Sequence, residues 1–118
     1  MRHRKTKATL DRTSAQRKRL IRGLVMSLIE NERIITTPAR ARVTRSLIER
    51  LITLSKQNDL HHRRQILRYV PQAAIAKKLL EVFGPRFKTR PGGYTRMTKL
   101  SRRKGDGAEQ TIVEVLAE

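Results

Sequence analysis

Leu20, Ile21, Leu24, Val25, Leu28 and Ile29 recur at steps of one, three and four, which lays one apolar face along an α-helix reaching about Glu32. Thr13-Ser-Ala-Gln16 supplies its start as a capping box, in which the Thr13 hydroxyl accepts from the Gln16 amide and the Gln16 side chain reaches back. Arg17 and Arg22 fall off the apolar face. Arg33 to Thr37 is short and β-branched and sits between two helical patterns, so it predicts a strand. Thr37 as N-cap and Pro38 as first helical residue open a second helix to about Lys56, with Val43, Leu47, Ile48, Leu51, Ile52 and Leu54 on its buried side.

Asp59 caps a third, shorter helix from Leu60 to about Tyr69, stopped by Pro71. A fourth carries Ile75, Leu79, Leu80, Val82 and Phe83 inward and is expected to end at Gly84-Pro85. Arg86 to Gly93 reads as a loop turning at Pro91-Gly92-Gly93. Tyr94 to Leu100 and Thr111 to Leu116 alternate as strands around a turn at Gly105-Asp-Gly107. An isolated hairpin is marginal in water, so the Ile34 strand is expected to join it as a third strand, with helices over one face. The predicted fold is a two-layer α+β single domain, order α-β-α-α-α-β-β, over residues 13–118. Residues 1–12 lack apolar periodicity and form a basic N-terminal extension.

Charge changes the picture more than size does. The 118 residues suit one domain, and 37% hydrophobic with 3% aromatic residues makes a thin core of Leu, Ile and Val. Against this, 28 Lys and Arg face 10 Asp and Glu, a formal net charge of +18. A polyanion is the expected partner, and self-repulsion destabilises the compact form without one. The charge is segregated: residues 1–22 carry +8, 23–85 +6, 86–104 +8 and 105–118 −4. With no cysteine, disulfides, thiol nucleophiles and thiolate metal sites are excluded. No apolar run reaches the ~18 residues that would span a bilayer, so no membrane partner is expected. An Arg-rich start can also serve as an organellar transit segment.

Three segments carry candidate chemistry. The N-terminal arm offers Arg2, His3, Arg4, Lys5, Lys7 and Arg12, with Arg17 and Arg22 on the first helix. It reads as an arm threading between RNA helices, against a merely solubilising tail. The loop and hairpin approach offer Arg86, Lys88, Arg90, Gly92, Gly93, Tyr94, Arg96, Arg102, Arg103 and Lys104. Paired glycines let the backbone approach a phosphate, while Tyr94 either stacks on a base or packs in the core. Between them lie Arg40, Arg42 and Arg45 on the second helix, and His61, Arg63 and Arg64 on the third. Arg63 and Arg64 are expected to face phosphate and His61 to cap or pack locally. Adjacent histidines cannot share a metal from one helix face, and the scattered acids suit neither a metal-dependent nuclease nor general acid–base work. No phosphate-loop or dinucleotide fingerprint is present, so neither cofactor nor small-molecule substrate is expected.

Several landmarks stand together in order. They are Met1-Arg-His-Arg-Lys5, Leu10 and Arg12, Arg33-Ile34 through Thr36-Thr37 into Ala39-Arg40-Ala41-Arg42, and Asp59-Leu60-His61 with Arg63-Arg64. The most specific are Gly92-Gly93-Tyr94-Thr95-Arg96 and Arg103-Lys104-Gly105-Asp106-Gly107-Ala108. Over nearly its whole length, beginning at Met1, the chain resembles the bacterial large-subunit ribosomal protein seventeen family. It departs from that pattern in having Arg40 and Arg42 where lysine is frequent, and in Pro38. The resemblance implies a three-stranded two-layer fold and a structural, non-enzymatic role. It also implies binding to large-subunit ribosomal RNA near the peptide exit tunnel, beside neighbouring large-subunit ribosomal proteins, on the cytoplasmic ribosome. The rival reading is a nucleoid or transcriptional DNA-binding protein with the second helix, Arg40, Arg42 and Arg45, as its recognition element.

Overall fold

The computed structural model describes residues 9, 10 and 12–117. Helix α1 spans Ser14–Asn31 and opens on the full capping box, Gln16 N donating to Thr13 Oγ1 at 3.3 Å and Thr13 N to Gln16 Oε1 at 3.4 Å. It closes at Glu32, which takes a left-handed conformation (φ 63°) and donates its amide to Leu28 O at 2.8 Å. A non-glycine residue holds that conformation only when its surroundings over-determine it. Here the Glu32 carbonyl accepts from Val115 N at 2.9 Å, and its carboxylate meets Arg86 Nη1 at 2.5 Å. Helix end, sheet and distant arginine are thereby tied at one residue.

Strand β1 (Arg33–Thr36) leads into α2 (Pro38–Ser55) and α3 (Leu60–Tyr69). Helix α4 (Ala73–Lys78) continues through a π-helical turn, Leu79–Phe83, into α5 (Gly84–Arg86). Strands β2 (Thr95–Leu100) and β3 (Gln110–Val115) complete the chain. The sheet order is β1-β3-β2, with both pairings antiparallel. The α+β expectation with a third strand joining the hairpin therefore stands, and its strand bounds move by one residue.

Ile34, Val113 and Met97 stand side by side on the face toward α1 and α2. The core they join includes Val25, Leu28, Ile29, Ile48, Leu51, Ile52, Phe83, Phe87 and Tyr94, all buried. On the opposite face, Ile112 is covered by its position on the central strand between Ile35 and Thr98. That protection needs no third layer, because neighbouring strands lie only about 4.8 Å apart.

Four local expectations are corrected. Gly84-Pro85 does not end the fourth helix. Gly84 keeps right-handed helical angles (φ −54°, ψ −57°) and its amide donates to Leu79 O, five residues back. Its lack of a side chain serves packing instead, since a methyl group there would overlap the Ser55 carbonyl oxygen and lie 3.2 Å from its carbon. Val82 is turned outward by the π-turn and is 40% exposed. Thr37 precedes Pro38 as expected but makes no side-chain cap bond. Arg17, placed off the apolar face by spacing, is only 8% exposed.

Candidate nucleic-acid interface

Arg2, His3, Arg4, Lys5 and Lys7 lie outside the described residues. Of the remaining arm candidates, Arg12 is exposed, Arg17 is buried, and Arg22 is exposed while donating through Nη2 to Arg68 O at 3.0 Å.

Helix α2 follows Thr37 because Pro38 fixes the first helical φ and its missing amide is not needed there. Its buried stripe is Ala41, Thr44, Ile48, Leu51, Ile52 and Ser55, while Val43 and Leu47 are only partly covered. Arg42 and Arg45 therefore point to solvent, and Arg40 is half-buried. On α3, Asp59 caps the helix by accepting from His62 N at 2.8 Å, and His62 Nδ1 lies 2.7 Å from the same oxygen. The backbone amide of His62, followed by its ring, holds the Asp59 carboxyl below the usual carboxylate range. The capping interaction expected of His61 thus belongs to His62, and His61 is exposed with its ring edge-on to that of His62. Arg63 and Arg64 are exposed, Arg63 donating through Nε to Asn58 Oδ1 at 3.0 Å. Among the described residues no group of three or more His, Cys, Asp or Glu is placed to hold a metal.

Beyond α5 the loop is anchored at two aromatic residues. Phe87 and Tyr94 are both buried, their ring centroids 5.1 Å apart, and Lys88, Thr89 and Arg90 are exposed between them. Gly93 supplies the left-handed turn (φ +64°) that returns the chain into β2. Tyr94 is 1% exposed and its hydroxyl lies 3.3 Å from Thr53 Oγ1, so of its two readings the structure shows packing rather than stacking on a base. Arg86 is held inward by Glu32 and by Leu116 O at 3.3 Å, with its guanidinium 5.0 Å from the Phe83 ring centroid. It is a structural tie rather than an outward contact.

The hairpin connection is built the same way. Arg103 donates through Nε and Nη2 to the two Asp106 oxygens at 3.0 and 2.6 Å, and Ala108 N donates to Asp106 Oδ1 at 3.1 Å. The Arg103 fork lowers the Asp106 carboxyl well below the usual range, and the Ala108 amide adds to it. Asp106 in turn raises the Arg103 guanidinium. Arg103 thus stiffens the turn, and its neighbours Arg102 and Lys104 are exposed on it. Arg96 is exposed but paired with Glu114 at 3.1 Å, and Arg33 approaches the same carboxylate at 3.8 Å.

The structure brings the loop of 87–94 together with the outer flank of α2: Lys56 Nζ donates to Arg90 O, and Glu49 accepts from Tyr94 N and Thr95 N at 3.2 and 3.0 Å. It does not bring the hairpin tip to them, because the tip lies beyond the far end of β2, whose six residues span about 17 Å at ~3.4 Å per residue. Glu49 and Lys56 do not stand out as site residues from sequence alone. The available signal was that Glu49 is the sole acidic residue of α2, among four arginines.

The family model described as ribosomal protein L17 matches residues 20–116. A large ribosomal subunit protein bL17 from Syntrophotalea carbinolica is 46% identical over all of this chain and 76% of its own length. The protein of that name from Gemmatimonas aurantiaca is 48% identical over 98% of each chain, and that from Caldanaerobacter subterraneus is 47% identical over 91% of this chain and 96% of its own. With the fold, the spacing of the loop and turn motifs, and these likenesses in agreement, the chain belongs to the ribosomal protein L17 family.

Proposed function

We propose that this chain, a structural constituent of the large ribosomal subunit by its family and not an enzyme, works by binding large-subunit ribosomal RNA through three basic surfaces. These are the outer flank of α2 with the loop of 87–94, the exposed face of α3, and the tip of the β2–β3 hairpin. The N-terminal arm is assigned to the same role on its charge alone, as an extension to a domain that starts at Thr13.

The observation that carries this reading is the pairing pattern of the cations. Arg42, Arg45, Arg64, Lys88, Arg102 and Lys104 are exposed and, among the described residues, none makes an ion pair. Arg86 and Arg103, by contrast, are consumed in building the loop and the turn. Uncommitted cations on separate rigid projections suit an irregular folded RNA, where phosphates converge from several helices, and affinity is then dominated by counterion release. A seat near the peptide exit tunnel beside other ribosomal proteins rests on the family resemblance.

The DNA-binding rival fits less well, because the loop packs along the flank of α2 and covers part of the helix that would have to enter a major groove. No helix among the described residues is long and apolar enough to cross a membrane. The test is competition filter binding at equal salt. Deproteinised large-subunit RNA is expected to displace duplex DNA at substoichiometric amounts; equal competition by the two would overturn the reading.

A further inference from the structure

Glu49 is the sole carboxylate on α2, flanked by Arg45 one turn earlier and by Arg50. An exposed helix would pair it with an arginine at i−4. Among the described residues it makes no ion pair at all. Its two oxygens instead take three bonds from neutral donors where the basic loop enters β2: Tyr94 N at 3.2 Å, Thr95 N at 3.0 Å and Thr95 Oγ1 at 2.6 Å. Thr53 and Lys56 continue the same helical stripe at i+4 and i+7. Thr53 meets the Tyr94 hydroxyl, while Lys56 donates to Arg90 O and lies 4.8 Å over the Tyr94 ring. In the other direction the stripe continues to the exposed Arg45.

We propose that Glu49 is a positioning residue that holds the basic loop against α2, so that Lys88 and Arg90 extend the arginine flank of that helix into one continuous RNA-facing strip. The inference rests on the RNA-binding reading above. Two physical reasons support it. Loop cations and helix arginines repel one another, and a carboxylate at their junction offsets that repulsion without forming an ion pair with Arg45 or Arg50. The loop's own hydrogen bonds, Arg90 N to Phe87 O at 3.0 Å and Arg90 Nε to Gly92 O at 3.2 Å among them, run within the segment, whereas Glu49 ties it to α2, and ordering it there in advance lowers the cost of binding.

The chain has no cysteine, so single substitutions give clean attachment points. Thr89→Cys in the loop and Ser101→Cys near the hairpin tip would each carry an iron–EDTA tether for directed cleavage of deproteinised large-subunit RNA. Each is compared in the native, Glu49→Ala and Glu49→Gln backgrounds. Amide hydrogen exchange at Tyr94 and Thr95 is read on the same proteins without RNA.

Glu49→Ala is expected to speed exchange at those two amides by about tenfold or more, the loss of one strong local restraint. It should disperse the cleavage from position 89 while leaving that from position 101 in place. Glu49→Gln, which retains an acceptor, is expected to restore most of both. Unchanged exchange, or undispersed cleavage from position 89 in Glu49→Ala, overturns the proposal. Faster exchange with no cleavage from position 89 even in the native background overturns the RNA reading of the loop, and the proposal with it. If Glu49→Ala does not fold, as loss of the position-101 pattern would show, Thr95→Val removes one of the three bonds. A partial shift in exchange and cleavage then supports the proposal, and none overturns it.

Discussion

Replacing Gly84 with alanine sets two effects of opposite sign against each other. Gly84 has ordinary helical angles, so on propensity alone alanine should stabilise the protein by roughly 1 kcal/mol. The new methyl would overlap the Ser55 carbonyl oxygen and lie 3.2 Å from its carbon, with Ser55 Oγ at 3.7 Å. Those first two atoms are backbone at the end of α2, held by buried Ile52 and Leu51, and cannot turn aside as a side-chain tip would. Relieving the overlap means moving α2 and α5 apart within the core, and overpacking of this kind typically costs about 1–3 kcal/mol. The clash should win by ~1 kcal/mol, lowering Tm by roughly 4 °C for a domain of this size. Gly23→Ala is the paired control, because Gly23 lies in mid-α1 with nothing within 4 Å of an added Cβ. It should gain up to about 1 kcal/mol. Urea and thermal unfolding of both variants decide the matter. A Gly84→Ala protein as stable as the native chain, or more so, would refute the packing role of Gly84.

The remaining predictions concern charge. Asp59 and Asp106 both have folded pKa values below their unfolded ones. Each therefore contributes stability that is present above about pH 3.9 and lost as pH falls through the folded value. The stability gap between native chain and Asp106→Asn, measured by denaturant titration, should accordingly narrow as pH drops below ~4; a gap independent of pH would contradict it. Arg86→Met removes a partly buried guanidinium from Glu32 and from Leu116 O, and should cost about 1–2 kcal/mol in urea unfolding. The Lys88→Ala variant should reduce the salt slope of RNA binding by about 1 while leaving the unfolding midpoint nearly unchanged.

Where periodicity and capping chemistry act locally, the sequence was legible. The Thr13–Gln16 box, the Asp59 cap, the strand between two helices and the turn at 105–107 all appear near the predicted residues. What escaped depends on contacts far along the chain. Gly84-Pro85 carries the usual signature of a helix end, but the approach of Ser55 from α2 requires a glycine inside a continuing helical path. Val82 fits an apolar stripe at 3.6 residues per turn and leaves it because the π-turn adds a residue. At the candidate interface the basic segments were readable, but the division of labour within them was not. Arg86 and Arg103 look like their neighbours in sequence, and only Glu32 and Asp106 show that they build the site.

The central claim, that exposed cations on several projections bind folded ribosomal RNA, is tested most directly by the salt dependence of affinity for deproteinised large-subunit RNA. With about ten phosphate contacts, and using the duplex relation, log affinity should fall with log salt at a slope of about −9. A slope near zero, or the same slope and affinity on duplex DNA, would contradict the account.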